Sequence, residues 1–219
     1  RVVANMKVTN LPGGMNALED APNEYDGQIT IEIRGSSSQF FPKQGFALET
    51  QDSLGFNNNV SLLGMPAEND WILHGPYSDK SLMRNAVIYE LGDRIGRYTT
   101  RRRYCELYIN GDYRGVYLFM ENIKRDDNRV DIATLLSTDT LGNEVTGGYI
   151  MKVDRVQGDF DGGWNSPYPT LGGDGQFIQM HKPEADELHP LQLAYIEDHF
   201  TAFEHALAGP DYTDPDLGY

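Results

Sequence analysis

Apolar and polar residues alternate most clearly in the middle of the chain, on both sides of a predicted tight turn. Residues 104–109 place their apolar side chains on one face: Cys105, Leu107 and Ile109. Residues 116–120 are apolar on both faces, which is typical of a strand in the middle of a covered sheet. Asn110-Gly111 tolerates the positive φ angles that a two-residue hairpin needs. We therefore predict a hairpin whose second strand is central and ends in the polar pair Glu121-Asn122.

The rest of the chain divides into strand-like and irregular stretches. Alternation with inward isoleucines predicts a strand at 28–34, and shorter apolar runs predict the others: 46–50, 71–74, 147–154 and 177–181. Residues 1–27 are rich in Gly and Pro, so we expect an irregular segment there. Residues 157–175 have a similar composition and predict a long loop or insertion. Its carboxylates (Asp159, Asp161 and Asp174) lack the spacing of a calcium loop, which favours exposed turn residues.

Two amphipathic helices are predicted, at about 79–96 and 190–208. In the first, capped by Ser78 or Asp79, one apolar stripe forms at 100° per residue: Val87, Ile88, Leu91 and Ile95. Arg84 projects onto the middle of this stripe. A buried guanidinium needs a counter-charge, and both an internal ion pair and a bound phosphate satisfy that requirement.

Composition excludes several classes of function. The chain has 219 residues and a formal net charge of −15, which argues against a general nucleic-acid surface and against binding to an anionic membrane. No apolar run approaches the roughly 20 residues that span a bilayer, so we expect no membrane insertion. Cys105 is the single cysteine, which excludes an intrachain disulfide and a cysteine-based metal cluster; we interpret it as a packing residue.

One group of residues remains for chemistry. The histidines lack zinc-site spacing, and neither a Walker lysine motif nor a dinucleotide fingerprint is present. A predicted strand ends in Arg34-Gly35-Ser36-Ser37-Ser38, and Lys43 precedes the next strand. Small residues let backbone N–H groups approach a phosphate, and Arg34 and Lys43 supply charge. A solvated turn beside a surface lysine explains the same pattern.

The order of these elements predicts the fold. Strand, small-residue loop, strand with lysine, helix and further strands with a polar edge follow one another as in a protein-kinase small lobe. We predict an α+β fold with a kinase-like small lobe, made of an antiparallel sheet and one long helix, followed by the start of a second lobe. The predicted division is an irregular segment 1–27, a small lobe 28–123, and a linker, strand pair with insertion and helix over 124–219.

Several spaced motifs give the chain a family resemblance. They lie at residues 31–38, 41–44, 69–73, 77–85, 106–117 and 148–152. Together they resemble the spore coat protein H (CotH) kinase-like family, an atypical branch of the protein-kinase fold, over roughly residues 27–207. The resemblance implies ATP-dependent phosphorylation of Ser or Thr in a protein substrate, with magnesium. Relatives include spore-coat kinases, secreted bacterial proteins and fungal adhesion proteins, so we expect an extracellular or cell-surface location.

The resemblance also assigns nucleotide-binding roles. Lys43 would pair with the phosphates, the loop Arg34, Gly35, Ser36 and Ser37 would line them, and Arg84 would converge with Lys43 on one pocket. Met120 and Glu121 would meet adenine through backbone groups. Lys152 would face the cleft or lie exposed on its strand.

The sequence departs from the family where catalysis is expected. Neither a His-Arg-Asp segment nor a Trp-Asp-x-Asp-like motif occurs, although phosphoryl transfer needs a carboxylate for the acceptor hydroxyl and ligands for magnesium. We therefore expect a fragment that lacks its catalytic and metal-binding segment, binds nucleotide poorly and does not turn over. The alternative is a non-catalytic secreted adhesion or binding domain of the same fold.

Overall fold

The computed structural model describes residues 1–155, 162–210, 212–216 and 218. The chain divides into two units, which are described separately. The first comprises Arg1–Lys124 and Asn128–Val130, and the second comprises Arg125–Asp127 and Asp131–Tyr219.

Helices and strands are numbered in chain order. The strands of the first unit are β1 (Val2–Val8), β2 (Tyr25–Arg34), β3 (Gly45–Thr50), β4 (Val60–Leu62), β5 (Met65–Glu68), β6 (Asp70–His74), β7 (Arg102–Ile109) and β8 (Asp112–Glu121), and its helix is α1 (Arg84–Arg94). The second unit holds β9 (Ile150–Lys152), β10 (Gly163–Pro169), β11 (Gly175–Lys182) and the helix α2 (Pro190–Ala208). The protein is thus a mixed structure of helices and antiparallel sheets, which agrees with the predicted α+β class.

A six-stranded antiparallel sheet in the order β1-β2-β3-β6-β8-β7 forms the framework of the first unit. The predicted hairpin is confirmed: Asn110 and Gly111 join β7 to β8 with φ angles of 53° and 84°. Its second strand lies between β6 and β7, which explains why β8 is apolar on both faces.

Each face of this sheet has its own core. Trp71, Tyr117 and Leu48 are the largest buried side chains of one face, and Cys105 packs against that core, which confirms its packing role. Burial raises the pKa of the Cys105 thiol to about 11. On the other face Ile72, Leu118 and Met120 form a second core, which α1 covers.

The prediction of an irregular segment over residues 1–27 is wrong for Val2–Val8 and for residues 25–27, where β2 begins. Val2–Val8 forms the edge strand β1, whose residues pair with β2 from Val2 opposite Ile31 to Val8 opposite Tyr25. Ala4 and Met6 pack against the core while Val3 is exposed, which is a strand alternation. The Gly and Pro residues that suggested irregular structure are confined to the connection from β1 to β2.

The helix α1 differs from its prediction in its start and in its orientation. It begins at Arg84 rather than at residue 79, because the preceding residues form a turn closed by Asp79, which accepts hydrogen bonds from the backbone N–H of Ser81 and Arg84. Ala86 and Tyr89 contact the sheet. At 100° per residue they lie about 180° from the predicted apolar stripe. That stripe exists but faces solvent.

The second unit packs α2 on a three-stranded sheet in the order β10-β11-β9. The predicted bounds of α2 are confirmed, and Ile196 is buried with Trp164 and Met180. The prediction of a loop over 157–175 is wrong for 163–169, because β10 runs there and turns Trp164 into the core. Asp159 and Asp161 lie outside the described residues. The predicted strand at 147–154 is shorter, Ile150–Lys152.

Within the described ranges, no helix is both long enough and apolar enough to cross a membrane.

Candidate functional site

A β-bulge interrupts the central hairpin near the predicted phosphate-binding residues. Leu107 pairs with Gly115, whereas Tyr108 pairs with Tyr113, so Arg114 is the extra residue on β8. Gly115 has a φ of 91°, a conformation that favours glycine. Bulges of this kind bend the strand and occur often beside active sites. The carbonyl oxygen of Val116, the residue after Gly115, is accessible here to a side chain from the connection between β2 and β3.

The side chain that reaches this carbonyl oxygen is that of Lys43. It lies in the bend before β3, and its Nζ donates a hydrogen bond of 2.5 Å to the carbonyl oxygen of Val116. The ammonium also lies 4.9 Å from the centroid of the Tyr117 ring. Burial lowers the pKa of Lys43, and in the described part of the chain no carboxylate forms an ion pair with it. Lys43 is therefore a half-buried cation whose charge lacks an anionic partner among those residues.

The loop after β2 is held in one conformation by its glycine and by its own hydrogen bonds. Arg34 ends β2, and Gly35 follows with a φ of 116°; a Cβ at Gly35 would lie 2.0 Å from Ser38 Oγ. Ser37–Phe40 forms a 3-10 turn. The side chain of Gln39 donates to the carbonyl oxygen of Gly35, which closes the loop. The predicted phosphate loop is thus an ordered turn, with Arg34 exposed beside it.

His74 interacts electrostatically with both Arg34 and Lys43. It ends β6, and its pKa is lowered first by burial and then by the positive charge of Arg34, with a further contribution from Lys43; Asp79 opposes the shift. Arg34 and Lys43 therefore both lie within electrostatic range of His74. Sequence reasoning missed His74, although it is a polar residue that ends an apolar strand, the same signal that singled out Glu121.

The first unit should lose stability as the pH falls through the ordinary histidine range. The pKa of His74 in the folded protein lies below its model-peptide value of 6.5. The unfolded chain consequently binds a proton more readily, and the stability is present above pH 6.5 and is lost as the pH falls towards the folded-state pKa. Urea unfolding followed by the emission of Trp71 measures this dependence.

His74→Gln is the control for that measurement, because the other four histidines, at positions 181, 189, 199 and 205, belong to the second unit. We expect the pH dependence near 6.5 to flatten in this variant. An unchanged slope would assign the effect to carboxylates instead.

Arg84 does not lie where the sequence suggested. Its side chain is 81% exposed, and its Nε lies 3.7 Å from Asp79 Oδ1. The expectation of a buried arginine on a covered stripe is wrong, because the stripe faces solvent. Arg84 thus does not share a buried pocket with Lys43, and its role in phosphate binding stays a prediction.

Glu121 is part of a buried ionic network. Its side chain is fully buried; Oε1 lies 2.9 Å from Arg101 Nη1 and 3.9 Å from Arg129 Nε, and Oε2 accepts from the backbone N–H of Arg101. Arg129 is also buried and lies over the Trp71 ring. Burial and the charge of Glu121 raise the pKa of Tyr98 to about 12. The sequence pattern predicts a solvated linker at Arg129 and contains no signal for its burial beside Glu121.

The backbone at the end of β8 is already engaged. Met120 and Glu121 pair with Ile72 and Trp71 of β6, and the N–H of Glu121 donates to the carbonyl oxygen of Arg101. Adenine binding through these two residues stays a prediction, and the N–H of Glu121 is not available for it in this arrangement. Lys152 lies in the second unit, exposed on the edge strand β9.

Metal ligands are not clustered in the described part of the chain. No group of three or more His, Cys, Asp or Glu side chains there could hold a metal ion.

The family model described as CotH kinase protein matches residues 31–212, which is most of the chain and covers parts of both units. No curated protein matches the chain.

Proposed function

The chain belongs to the CotH kinase protein family, and from this premise we propose that its first unit binds the phosphates of ATP in a CotH-like kinase that phosphorylates Ser or Thr of a protein. One observation carries the proposal. Lys43 and Arg34 both lie within electrostatic range of His74, and Lys43 has no carboxylate partner among the described residues.

The chemistry of this cluster suits phosphate. An ammonium has three donors, and Lys43 uses one on the carbonyl of Val116, so two remain for phosphate oxygens. Arg34 offers an exposed guanidinium, which binds phosphate in a bidentate manner. A bound phosphate would offset the positive charges of Arg34 and Lys43 that act on His74. The three groups come from different strand ends, which is how a rigid scaffold fixes a binding site.

The arrangement of the elements also supports a kinase small lobe. Antiparallel strands β2, β3 and β6 precede one helix, and the β7–β8 hairpin returns to pair with β6. In protein kinases, a lysine of such a sheet binds the phosphates. Here Lys43 reaches the sheet from the bend before β3 rather than from within a strand.

In the proposed reaction the acceptor hydroxyl attacks the γ-phosphorus, ADP leaves, and the hydroxyl proton passes to a base. Lys43 and Arg34 would hold and orient the phosphates. Magnesium would neutralise charge on the phosphates, but the described residues do not cluster as its ligands. We therefore assign this unit the positioning of phosphate and derive no step through the metal.

Calorimetric titration with ATP, ADP, AMP and adenosine, each with and without magnesium, tests the proposal. We expect the affinity to rise with the number of phosphates and adenosine to bind least. Equal affinity for ATP and adenosine, or no binding of any nucleotide, would overturn it. Transfer of labelled γ-phosphate to Ser or Thr of a serine-rich acceptor protein tests turnover. ATP binding without transfer would fit both a fragment that lacks its catalytic segment and a non-catalytic binding domain.

A further inference from the structure

The apolar stripe of α1 has no partner among the described residues of the first unit. Its members, Val87, Ile88, Leu91 and Ile95, are each between 53% and 68% exposed. A surface helix normally turns such a stripe towards a core. In α1 the opposite side, with Ala86 and Tyr89, makes the contact with the sheet. A contiguous exposed apolar surface of this kind marks an interaction site.

A preformed groove runs beside this stripe. It has a volume of about 820 Å³ and lies between α1, the turn that precedes it and strands β7 and β8. Its apolar lining comes from both sides of the groove: Leu82, Met83, Val87, Leu91, Val116 and Leu118. The hydroxyl of Tyr104 on β7 donates a 2.8 Å hydrogen bond to the carbonyl oxygen of Leu82, which ties the turn to the strand. The groove therefore exists without rearrangement.

The surface around the groove is positive, in contrast to the whole protein. Three arginines, Arg94, Arg102 and Arg103, line the groove together with one carboxylate, Glu90, whereas the overall charge of the chain is −15. Glu90 is already paired, because it lies 2.9 Å from Arg94 and 3.0 Å from Arg102.

One cation of the rim lacks a counter-charge. Arg103 lines the groove and is exposed, and in the described part of the chain it forms no ion pair. Among the described residues, the side chain of Arg103 donates a hydrogen bond only to the backbone carbonyl of Arg102. The groove thus combines an apolar floor with a rim that attracts negative charge.

We propose that this groove binds a segment of a partner protein that carries apolar side chains next to Asp or Glu. Apolar side chains would cover the exposed stripe, and the carboxylates would meet Arg103. A second copy of the chain fits less well, because a two-fold interface would set the same positive surface against itself. The binding of such a segment does not depend on nucleotide binding by Lys43.

Selection from a phage-displayed library of random peptides tests the proposal, with counter-selection against Leu91→Asp. We expect enrichment of peptides that combine apolar residues with Asp or Glu. For a synthetic copy of an enriched peptide, fluorescence anisotropy should show binding at least tenfold weaker to Leu91→Asp and several-fold weaker to Arg103→Glu. Binding to the wild type should weaken as salt is added.

Leu54→Asp is the matched control, because Leu54 is 79% exposed and does not line the groove; its binding should equal that of the wild type. Trp71 emission verifies that each variant is folded. Absence of enrichment, enrichment of peptides without acidic residues, or equal binding to Leu91→Asp would overturn the proposal. Sedimentation of the wild type as a dimer that Leu91→Asp dissociates would also overturn it, because a second copy would then occupy the groove.

Discussion

Replacing Glu121 with alanine should destabilise the first unit by about 3–5 kcal/mol, the range expected when one member of a buried ion pair is removed. The variant leaves Arg129, whose side chain is 1% exposed, without its carboxylate. It also removes the acceptor for the side chain and backbone N–H of Arg101. These losses add to one another, because a buried guanidinium without a counter-charge cannot recover the solvation it had in water.

Tryptophan fluorescence measures this effect in the first unit alone. The chain has two tryptophans, Trp71 in the first unit and Trp164 in the second. In a Trp164→Phe background the emission reports on Trp71, whose ring lies 5.4 Å from the Arg129 guanidinium. Urea unfolding then gives the free energy of unfolding. Glu106→Ala is the matched control, because Glu106 is exposed and accepts a hydrogen bond from the Tyr113 hydroxyl on the neighbouring strand. A loss in Glu121→Ala no larger than in this control would contradict the buried network.

Replacing Lys43 with methionine should weaken ATP binding about ten- to hundredfold. A hydrogen bond to a charged group contributes about 1.5–3 kcal/mol, and each 1.4 kcal/mol changes an affinity tenfold. Methionine keeps much of the aliphatic stem that packs near Tyr117 but loses the ammonium. Calorimetric titration with ATP measures the change.

Lys7→Met controls for the change in net charge, because Lys7 is 64% exposed and lies on the edge strand β1. We expect this variant to bind ATP as the wild type does. If both variants lost affinity equally, the effect would come from the overall charge and not from a site at Lys43.

The local pattern of the sequence determined most of the framework. The hairpin turn was predictable because Asn110-Gly111 has few conformational alternatives, and β8 because a strand that is apolar on both faces must be covered on both. The bounds of α2 followed from its long apolar period and its proline start. Each of these signals is contained in a few neighbouring residues.

The orientation of α1 was not predictable in the same way. Its stripe was recognised correctly as one face of a helix, but periodicity does not say which face the sheet will contact. Ala86 and Tyr89 make that contact, and the turn closed by Asp79 sets the start of the helix and therefore its rotation. The placement of Arg84 in solvent follows from this rotation.

The candidate site was predictable only in part. Arg34 and Lys43 were singled out by charge beside small residues, whereas His74 joins them through the pairing of β3 with β6 and of β6 with β8, which links residues far apart in sequence. Glu121 was noticed as a polar strand end, but its partner Arg129 reaches it through tertiary structure. Binding of ATP and magnesium, and an extracellular location, stay predictions.

The most direct test of the phosphate site is the pKa of His74 measured by NMR with and without ATP. His74→Gln identifies its imidazole signals among those of the five histidines. If phosphates bind beside Arg34 and Lys43, their negative charge should raise the pKa of His74 from its lowered value. If ATP binds and the pKa of His74 does not change, the nucleotide lies elsewhere, and the assignment of this cluster as the phosphate site is wrong.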